Sequence, residues 1–392
     1  MKLLVLAPQP FFQHRGTPIA TLKMLHVLSN EGHQIDLLTY HEGEPIDVPN
    51  CRHLRIPGIP FVHNIPPGFS IKKLICDFVM MFCVFRLCLR KEYHVIHAVE
   101  ESVFMAMVVR TMMGTPYIYD MDSSLPRQIS DHLPPLKIIS RLLNWFEAVA
   151  VRGSKGVVAV CQSLEDVAAG HSDSVPIVRI EDASLLTEES NEGDQDPTPT
   201  VMPEIEGRVV MYVGNLQTYQ GIGLLLDAFT HVYHRIPDVQ LVIVGGSEED
   251  IAAYRNVAQA NAISDRTHFL GPKPIDQLGS YLAMADILVS PRTLGSNTPM
   301  KVFSYLESGT PVLATKLDMH TQVLDDEISM LVEATPIEMA RGMCSLLHNK
   351  ELRERISGAA QQRIRQQFCS ELLDSKLSEF YHELEMSLGV AR

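Results

Sequence analysis

No CxxC pair occurs among the seven cysteines of this 392-residue chain (Cys51, Cys76, Cys83, Cys88, Cys161, Cys344 and Cys369), and their number is odd. That pattern suits reduced thiols in a cytoplasmic protein better than a disulfide frame. No His/Cys cluster has metal-ligand spacing, so no metal is expected. There is no G-x-S-x-G or comparable nucleophile motif, and no GxGxxG of the dinucleotide-binding kind. Positive charge is scarce: 33 Lys and Arg stand against 47 Asp and Glu, a net charge of −14. A nucleic-acid partner, which needs a basic face, is therefore not expected. A local cationic pocket for an anionic ligand remains compatible with that balance. The most apolar window, Leu74 to Leu89, is interrupted by Asp77 and Arg86. It falls short of the roughly 20 residues needed to span a bilayer. The opening Met1-Lys2 is followed at once by Leu-Leu-Val-Leu-Ala, which is strand length and is not expected to be a leader.

What the chain does have is 46% hydrophobic and 20% charged residues, the balance of a well-buried globular protein long enough for two domains. Short apolar strands alternate with helical patterns. In the first half strands are expected at Lys2–Ala7, Ile35–Thr39, Val95–Ala98, Tyr117–Asp120 and Gly156–Val160. Between them fall helices at Thr17–Glu31, Ile71–Arg90, Ser102–Met113, Leu136–Arg152 and Leu164–Ala169. The second half repeats the pattern, with strands at Val209–Val213, Val239–Val244, Thr267–Leu270, Ile287–Val289, Val312–Ala314 and Met330–Val332. From Glu181 to Glu206 the periodicity collapses into an acidic, Ser/Thr/Pro-rich stretch, and residues 186–206 read as a linker. The expected organisation is an α/β chain with parallel sheets, a first domain over 1–185, a second over 207–370 and a C-terminal helix over 371–392.

In open parallel sheets ligands bind beyond the carboxyl ends of the strands. The stretch Ser290–Thr315 has that character. An apolar strand breaks into a polar turn (Thr293, Gly295, Ser296, Asn297), with Thr298 a candidate N-cap and Pro299 the first helical residue. Arg292 and Lys301 bracket the turn. They are either solvated cations at a helix start or the grip of an anion site. Three other loops meet the same condition. Arg15, Gly16 and Thr17 follow the first strand, where a single glycine is a weak phosphate-loop signal and a structural turn is the expected reading. Glu100 and Glu101 close the strand at Val95–Ala98, and Asp120, Asp122 and Ser123 close the strand at Tyr117–Asp120. In the second half Gly214, Asn215, Gln220, Gly221 and Gly223 form a strand–Gly–turn–Gly–helix arrangement, and Gly245-Gly246 a further turn.

The segments HRGTPIATLKMLHVLSNEGHQIDLLT, YHVIHAVEE, VVMYVGNLQTYQGIGLLLDAF, ADILVSP and YLESGTPVLAT carry a resemblance. In combination and order they are similar to the retaining family-4 glycosyltransferases of the GT-B fold, over nearly the full length. The resemblance implies two Rossmann-like domains facing each other across a cleft, with a nucleoside-diphosphate sugar in the second and the acceptor in the first. It also implies a C-terminal helix that crosses back to the first domain. The departures are specific. Where the family carries an Arg and a Lys to neutralise the diphosphate, this chain has Asn215 and Gln220. Where it carries an E-x7-E pair, counting back from Gly309 gives Ser304 and then Ser296. The second His of the family's H-x-H appears as Val99, with Glu100 following.

Two accounts follow. Either Arg292 and Lys301 take over phosphate neutralisation, with Gly295, Ser296, Asn297 and Thr298 gripping the donor and Glu307 reaching the ribose, or the site has degenerated. On the first account Asp122 and Glu100 order the acceptor hydroxyl or donor sugar. The expected activity is a hexosyl transfer from a nucleotide sugar, with retention, to a glycan, polysaccharide-precursor or lipid-linked acceptor, without a resident cofactor. A nucleotide-sugar epimerase or a non-catalytic GT-B subunit are the alternatives. Basic residues (Lys72, Lys73, Arg86, Arg90, Lys91, Lys137, Arg141, Arg152) flank the apolar helices Ile71–Arg90 and Leu136–Arg152. These helices either pack a core or lie peripherally on the inner face of an anionic membrane.

Overall fold

The run Leu3–Ala7 is apolar at every position and is buried on both sheet faces, which is how a central parallel strand reads in sequence. The structure, a computed structural model, describes residues 1–12, 16–65, 70–124, 126, 137–186 and 205–390. Contacts divide the chain into two units, Met1–Glu181 with Glu371–Arg392, and Asp182–Ser370. The expected linker at 186–206 lies outside the described residues except for its ends. The first four residues of the second unit precede it, and Leu185 among them donates its backbone N–H to Ser304 Oγ at 2.9 Å within that unit.

In the first unit a seven-stranded parallel sheet has the order β3-β2-β1-β4-β5-β6-β7. The strands are β1 (Lys2–Ala7), β2 (Gln34–Thr39), β3 (Cys51–Arg55), β4 (Val95–Val99), β5 (Tyr117–Met121), β6 (Val157–Ala159) and β7 (Ile177–Arg179). The two not expected from sequence, β3 and β7, are the edge strands. Neither is fully buried, so neither carries the continuous apolar run of the central ones. The helices are α1 (Gly16–Asn30), α2 (Ile71–Arg90), α3 (Ser102–Met113), α4 (Lys137–Gly153) and α5 (Gln162–His171). Helix α2 starts where Ser70 Oγ accepts the Lys73 N–H, and α3 stops at Gly114, which takes the left-handed conformation (φ +80°) that favours glycine.

The second unit has a six-stranded parallel sheet, order β10-β9-β8-β11-β12-β13. Its strands are β8 (Arg208–Val213), β9 (Val239–Val244), β10 (Thr267–Gly271), β11 (Ile287–Ser290), β12 (Val312–Thr315) and β13 (Met330–Val332). Helices α6 (Ile222–Tyr233), α7 (Glu248–Ala260), α8 (Leu278–Ala283), α9 (Lys301–Glu307), α10 (Asp318–Thr321), α11 (Pro336–His348) and α12 (Lys350–Gln367) accompany them. The last helix, α13 (Ser370–Leu388), lies almost wholly in the first unit. There Leu377, Phe380, Tyr381 and Leu384 join the core formed with Leu3, Val5 and Ile118.

Each sheet reverses its strand order once, at a central pair, β1/β4 in the first unit and β8/β11 in the second. Such a switch point parts the loops that leave the two strands and opens a crevice at their carboxyl ends. Four of the loops singled out in the sequence leave these strands; the Asp122 loop leaves the neighbouring β5 and the Gly245-Gly246 turn the neighbouring β9.

Candidate functional site

In the second unit the loop after β8 meets the loop after β11. Lys301, the first residue of α9, donates from Nζ to Tyr212 Oη at 2.7 Å and to Gln220 Oε1 at 3.1 Å. Its ammonium also stands 3.9 Å from the Tyr212 ring centroid. Gly214 (φ +147°) makes this possible, since a Cβ there would lie 2.7 Å from Nζ. Arg292 is wrapped by its own loop. Its Nε donates to the Leu294 carbonyl at 2.8 Å and its Nη1 to the Asn297 carbonyl at 3.2 Å. The guanidinium lies 5.0 Å from the Tyr219 ring centroid. Gly295, at φ +118°, leaves the space beside Nη2 that a side chain would fill.

Neither cation has a carboxylate partner among the described residues. Burial pushes Lys301 well below the ordinary lysine range, and the positive charge of Arg292 pushes it further. Burial likewise holds Arg292 down. Two partly desolvated positive charges without counter-charge favour an anion. One ammonium hydrogen of Lys301 and the Nη2 donors of Arg292 remain for it.

Behind the loop a buried polar chain fixes the backbone. Ser290 Oγ lies 2.8 Å from His320 Nε2, and His320 Nδ1 lies 2.9 Å from the Thr315 carbonyl oxygen. Thr315 Oγ1 donates to the Arg292 carbonyl at 2.6 Å. A carbonyl only accepts, so Nδ1 carries the hydrogen and Nε2 accepts from Ser290. Burial, with Arg292 and Lys301 adding, pushes the His320 pKa down to about 4, which keeps the ring neutral in this tautomer.

The residues expected here are only partly brought together. Gln220 is buried and holds Lys301, while Asn215 is exposed and gives its carbonyl to Tyr212 Oη at 2.6 Å. Ser296 donates to Asn297 Oδ1 at 3.1 Å, and its carbonyl accepts from Gln322 Nε2 at 2.8 Å. Thr298 does not cap the helix: α9 begins at Lys301 with Met300 before it and no side-chain cap. The reason is a tight entry turn, in which Val302 N–H reaches the Pro299 carbonyl and Phe303 N–H the Met300 carbonyl. Thr298 Oγ1 is left buried and unpartnered. Ser304 is turned to Leu185. Glu307, the last residue of α9, has a buried Oε2 without a partner. Tyr212, Tyr219, Thr315 and His320 were not anticipated. A phenol inside the apolar run of β8, just ahead of Gly214, was the available signal for Tyr212.

In the first unit the switch point is acidic. Glu100 follows β4 in the left-handed region (φ +50°), an unusual place for a non-glycine residue. Its N–H is bound to the Asp120 carbonyl at 2.9 Å. Its carboxylate lies 3.9 Å from Lys73 Nζ, which also pairs with Glu101. Burial first, then Glu101, raises the Glu100 pKa to about 7, with Lys73 opposing. Asp77, accepting from Tyr40 Oη, is raised to about 7 chiefly by burial. Asp120 is held at 2.9 Å by His97 Nε2, whose Nδ1 lies 2.6 Å from Tyr381 Oη of α13. Asp122 follows two residues on, half-buried. Gly16 opens α1 with free space around it and Thr17 follows; Arg15 lies outside the described residues.

The architecture is that of the GT-B fold class, two α/β units with parallel sheets. Residues 203–363 match the family "Glycosyl transferases group 1", and residues 15–181 match "Glycosyl transferase 4-like domain". Each unit thus carries a glycosyltransferase-type domain. The chain is 33% identical over 169 residues to a phosphatidyl-myo-inositol mannosyltransferase of Mycobacterium tuberculosis, a stretch covering 41% of this chain and 43% of that protein. The match therefore spans less than half the length of that relative. A protein of the same name from Mycolicibacterium smegmatis is 22% identical over 380 residues, 93% of this chain and 89% of that one. Among solved structures, sucrose-phosphate synthase from Thermosynechococcus elongatus superposes with a TM-score of 0.79 at 17% identity, covering 98% of this chain and 99% of that one. Anabaena HepE in complex with UDP-glucose gives 0.72 at 16% identity, covering 98% and 100%.

Proposed function

We propose that the chain is a glycosyltransferase that moves a hexosyl group from a nucleoside-diphosphate sugar to a lipid-linked or glycan acceptor with retention at the anomeric carbon. The observation that carries this reading is the pair of half-buried cations, Lys301 and Arg292, left without counter-charge at the second unit's switch point. A diphosphate is the ligand whose charge they balance. When the bond between the anomeric carbon and the phosphate oxygen breaks, negative charge grows on the leaving diphosphate. Fixed cations oriented beforehand stabilise it without reorganisation. The acceptor hydroxyl forms the new bond on the same face, and its proton passes to the departing phosphate oxygen. Glu100 and Asp122 order the acceptor hydroxyl. Gln220 holds Lys301, the unpartnered Thr298 hydroxyl reaches the donor, and no resident cofactor is needed.

A lipid-linked acceptor is supported by the first unit's surface. Helix α2 buries Cys76, Met80 and Val84, yet Ile71, Leu74, Phe78, Phe82 and Leu89 on its other side are at least half exposed. A water-facing side is ordinarily polar. Helix α3 packs on α2 and exposes Met112, and α4 packs on α3 and exposes Leu142 and Trp145. Core packing therefore does not account for these side chains. With Lys72, Arg86 and Arg90 on α2, the face suits peripheral contact with an anionic bilayer. No helix among the described residues is long and apolar enough to cross one. The name of the mycobacterial relatives points to a lipid acceptor in those proteins.

A thermal-shift screen of UDP-, GDP-, ADP- and dTDP-sugars tests the donor. The matching nucleotide stabilises the fold by about 2.7 kcal/mol at a hundred times its dissociation constant. NMR of the product then reads the anomeric configuration. Failure of all four to stabilise the chain overturns the donor site, and release of an isomerised sugar nucleotide without acceptor makes it an epimerase.

A further inference from the structure

We propose that His41, Glu42 and His63 of the first unit bind a first-row divalent metal ion of the zinc type. One ligand atom from each of the three lies within 4.8 Å of the others. Sequence spacing hides the group: His41 and Glu42 follow β2, and His63 arrives from a separate turn. Four features of that turn fit a metal better than a chance meeting of side chains.

His41 Nε2 lies 2.9 Å from the Val62 carbonyl oxygen. Because that oxygen only accepts, Nε2 carries the hydrogen and Nδ1 holds the lone pair. Nδ1 is buried and has no hydrogen-bond partner. An imidazole that donates one N–H to a backbone carbonyl and keeps the other nitrogen open is oriented as a ligand. Glu42 is fixed as well: Oε1 accepts from the Asn64 N–H at 2.8 Å and Oε2 from the Ile65 N–H at 3.1 Å. Each carboxylate oxygen retains a further lone pair for a metal. His63 Nδ1 stands 3.8 Å from Glu42 Oε1. Phe61 (φ +64°) and Asn64 (φ +53°) both take the left-handed conformation, which asparagine tolerates but which the bulky Phe61 holds against its intrinsic preference.

Two imidazoles and one carboxylate make a zinc donor set with a fourth place for water. Zinc bonds of about 2.0–2.1 Å put tetrahedral ligand atoms about 3.4 Å apart. The 3.8 Å separation is already near that value. The His63 side chain, 71% exposed, is free to turn the rest of the way. Lys72 Nζ is committed to the His63 carbonyl and offers the ion no ligand. A simple surface ion pair between His63 and Glu42 would leave His41 Nδ1 buried without a partner, and a bound ion supplies one. The ion would fasten the Phe61–Ile65 turn to the end of β2. The proposal does not depend on the transferase reading.

The test uses the full chain, reduced and stripped of metal with EDTA, titrated with zinc against a chromogenic chelator. Wild type is expected to take up one more zinc per chain than His63→Ala, or to bind it at least tenfold more tightly. Zinc should raise the melting temperature of wild type and not that of H63A, while the two melt alike in EDTA. Cobalt substitution should give visible bands of nitrogen and oxygen ligands that weaken in H63A. Equal zinc uptake with an equal thermal shift in both proteins overturns the proposal. So does a cobalt spectrum dominated by thiolate charge transfer that H63A leaves unchanged, because the seven free cysteines would then be the ligands.

Discussion

At the switch point of the second sheet, Lys301 and Arg292 stand without a carboxylate, whereas at that of the first, a single lysine stands among acids. Lys73 pairs with Glu101, lies 3.9 Å from Glu100, and feels Asp77 as well. Burial opposes its charge, but Glu101 and Glu100 outweigh burial and raise its pKa. The same chain path therefore presents surplus positive charge in one unit and surplus negative charge in the other. Backbone geometry is the constant, and the side chains at the strand tips decide what each crevice accepts. On the proposed reading the second takes the diphosphate. The first then takes a hydroxyl-rich acceptor, since carboxyls whose pKa is raised to about 7 can donate as well as accept hydrogen bonds.

The largest effect is expected from abolishing the contrast at its positive end. Lys301→Met keeps the length of the side chain and removes the charge. The free protein should lose little stability, because relief of a desolvated charge offsets the two hydrogen bonds lost at Tyr212 and Gln220. Affinity for the nucleoside diphosphate that stabilises wild type should fall about a hundredfold, the loss of about 2.7 kcal/mol of charge-assisted bonding. Isothermal titration with denaturant melts reads both. Affinity within threefold of wild type would show that Lys301 serves the loop and not the ligand.

Much of this contrast was legible in the sequence, and the limits are physical. Central strands such as β1 and β9 announce themselves because burial on both faces demands apolar residues at nearly every position. The edge strand CRHLR carries no such demand. Arg292 and Lys301 could be found because cations beside a strand end are conspicuous in an acidic chain. His320 could not, since a lone imidazole reads as core until its partner is visible, and the phenol of Tyr212 inside an apolar strand was the one weaker signal. Thr298 looked like a cap because Ser and Thr before a Pro fit that role. Tertiary context instead tightened the entry and moved the helix start to Lys301. The left-handed backbone at Glu100 has no local signature, as nothing about a glutamate favours it.

The negative end is probed through protonation. Asp77 and Glu100 both titrate near 7, where a free carboxyl titrates near 4, so the folded chain binds more protons than the unfolded one between those values. Stability is then highest below about pH 4 with respect to these two groups and falls as pH rises through 7. Asp77→Asn stays neutral and can still accept from Tyr40 Oη. It should roughly halve the fall, a change of about 2 kcal/mol after allowing for solvent screening. Denaturant melts at several pH values measure the slope. An unaltered slope would mean that Asp77 is ionised in the folded protein, and the first unit's crevice would then be a site for cations.

The smallest effect sharpens the comparison by leaving both sets of charges in place and loosening one support. Thr315→Val preserves volume but removes the hydroxyl that donates to the Arg292 carbonyl at 2.6 Å and meets His320 Nδ1 at 3.0 Å. The Arg292 carbonyl would lose a bond worth about 1 kcal/mol, and the loop would be held by its remaining contacts. If the guanidinium acts on the nucleotide from a fixed backbone, donor affinity should fall about fivefold, with the dissociation rate carrying most of the change. The pH slope set by Asp77 and Glu100 should stay as it is, because those groups belong to the other unit. Unchanged affinity in T315V would mean that the loop's carbonyl wrap around Arg292 suffices without the buried Ser290–His320–Thr315 chain. The precision of the cationic site would then reside in the loop itself.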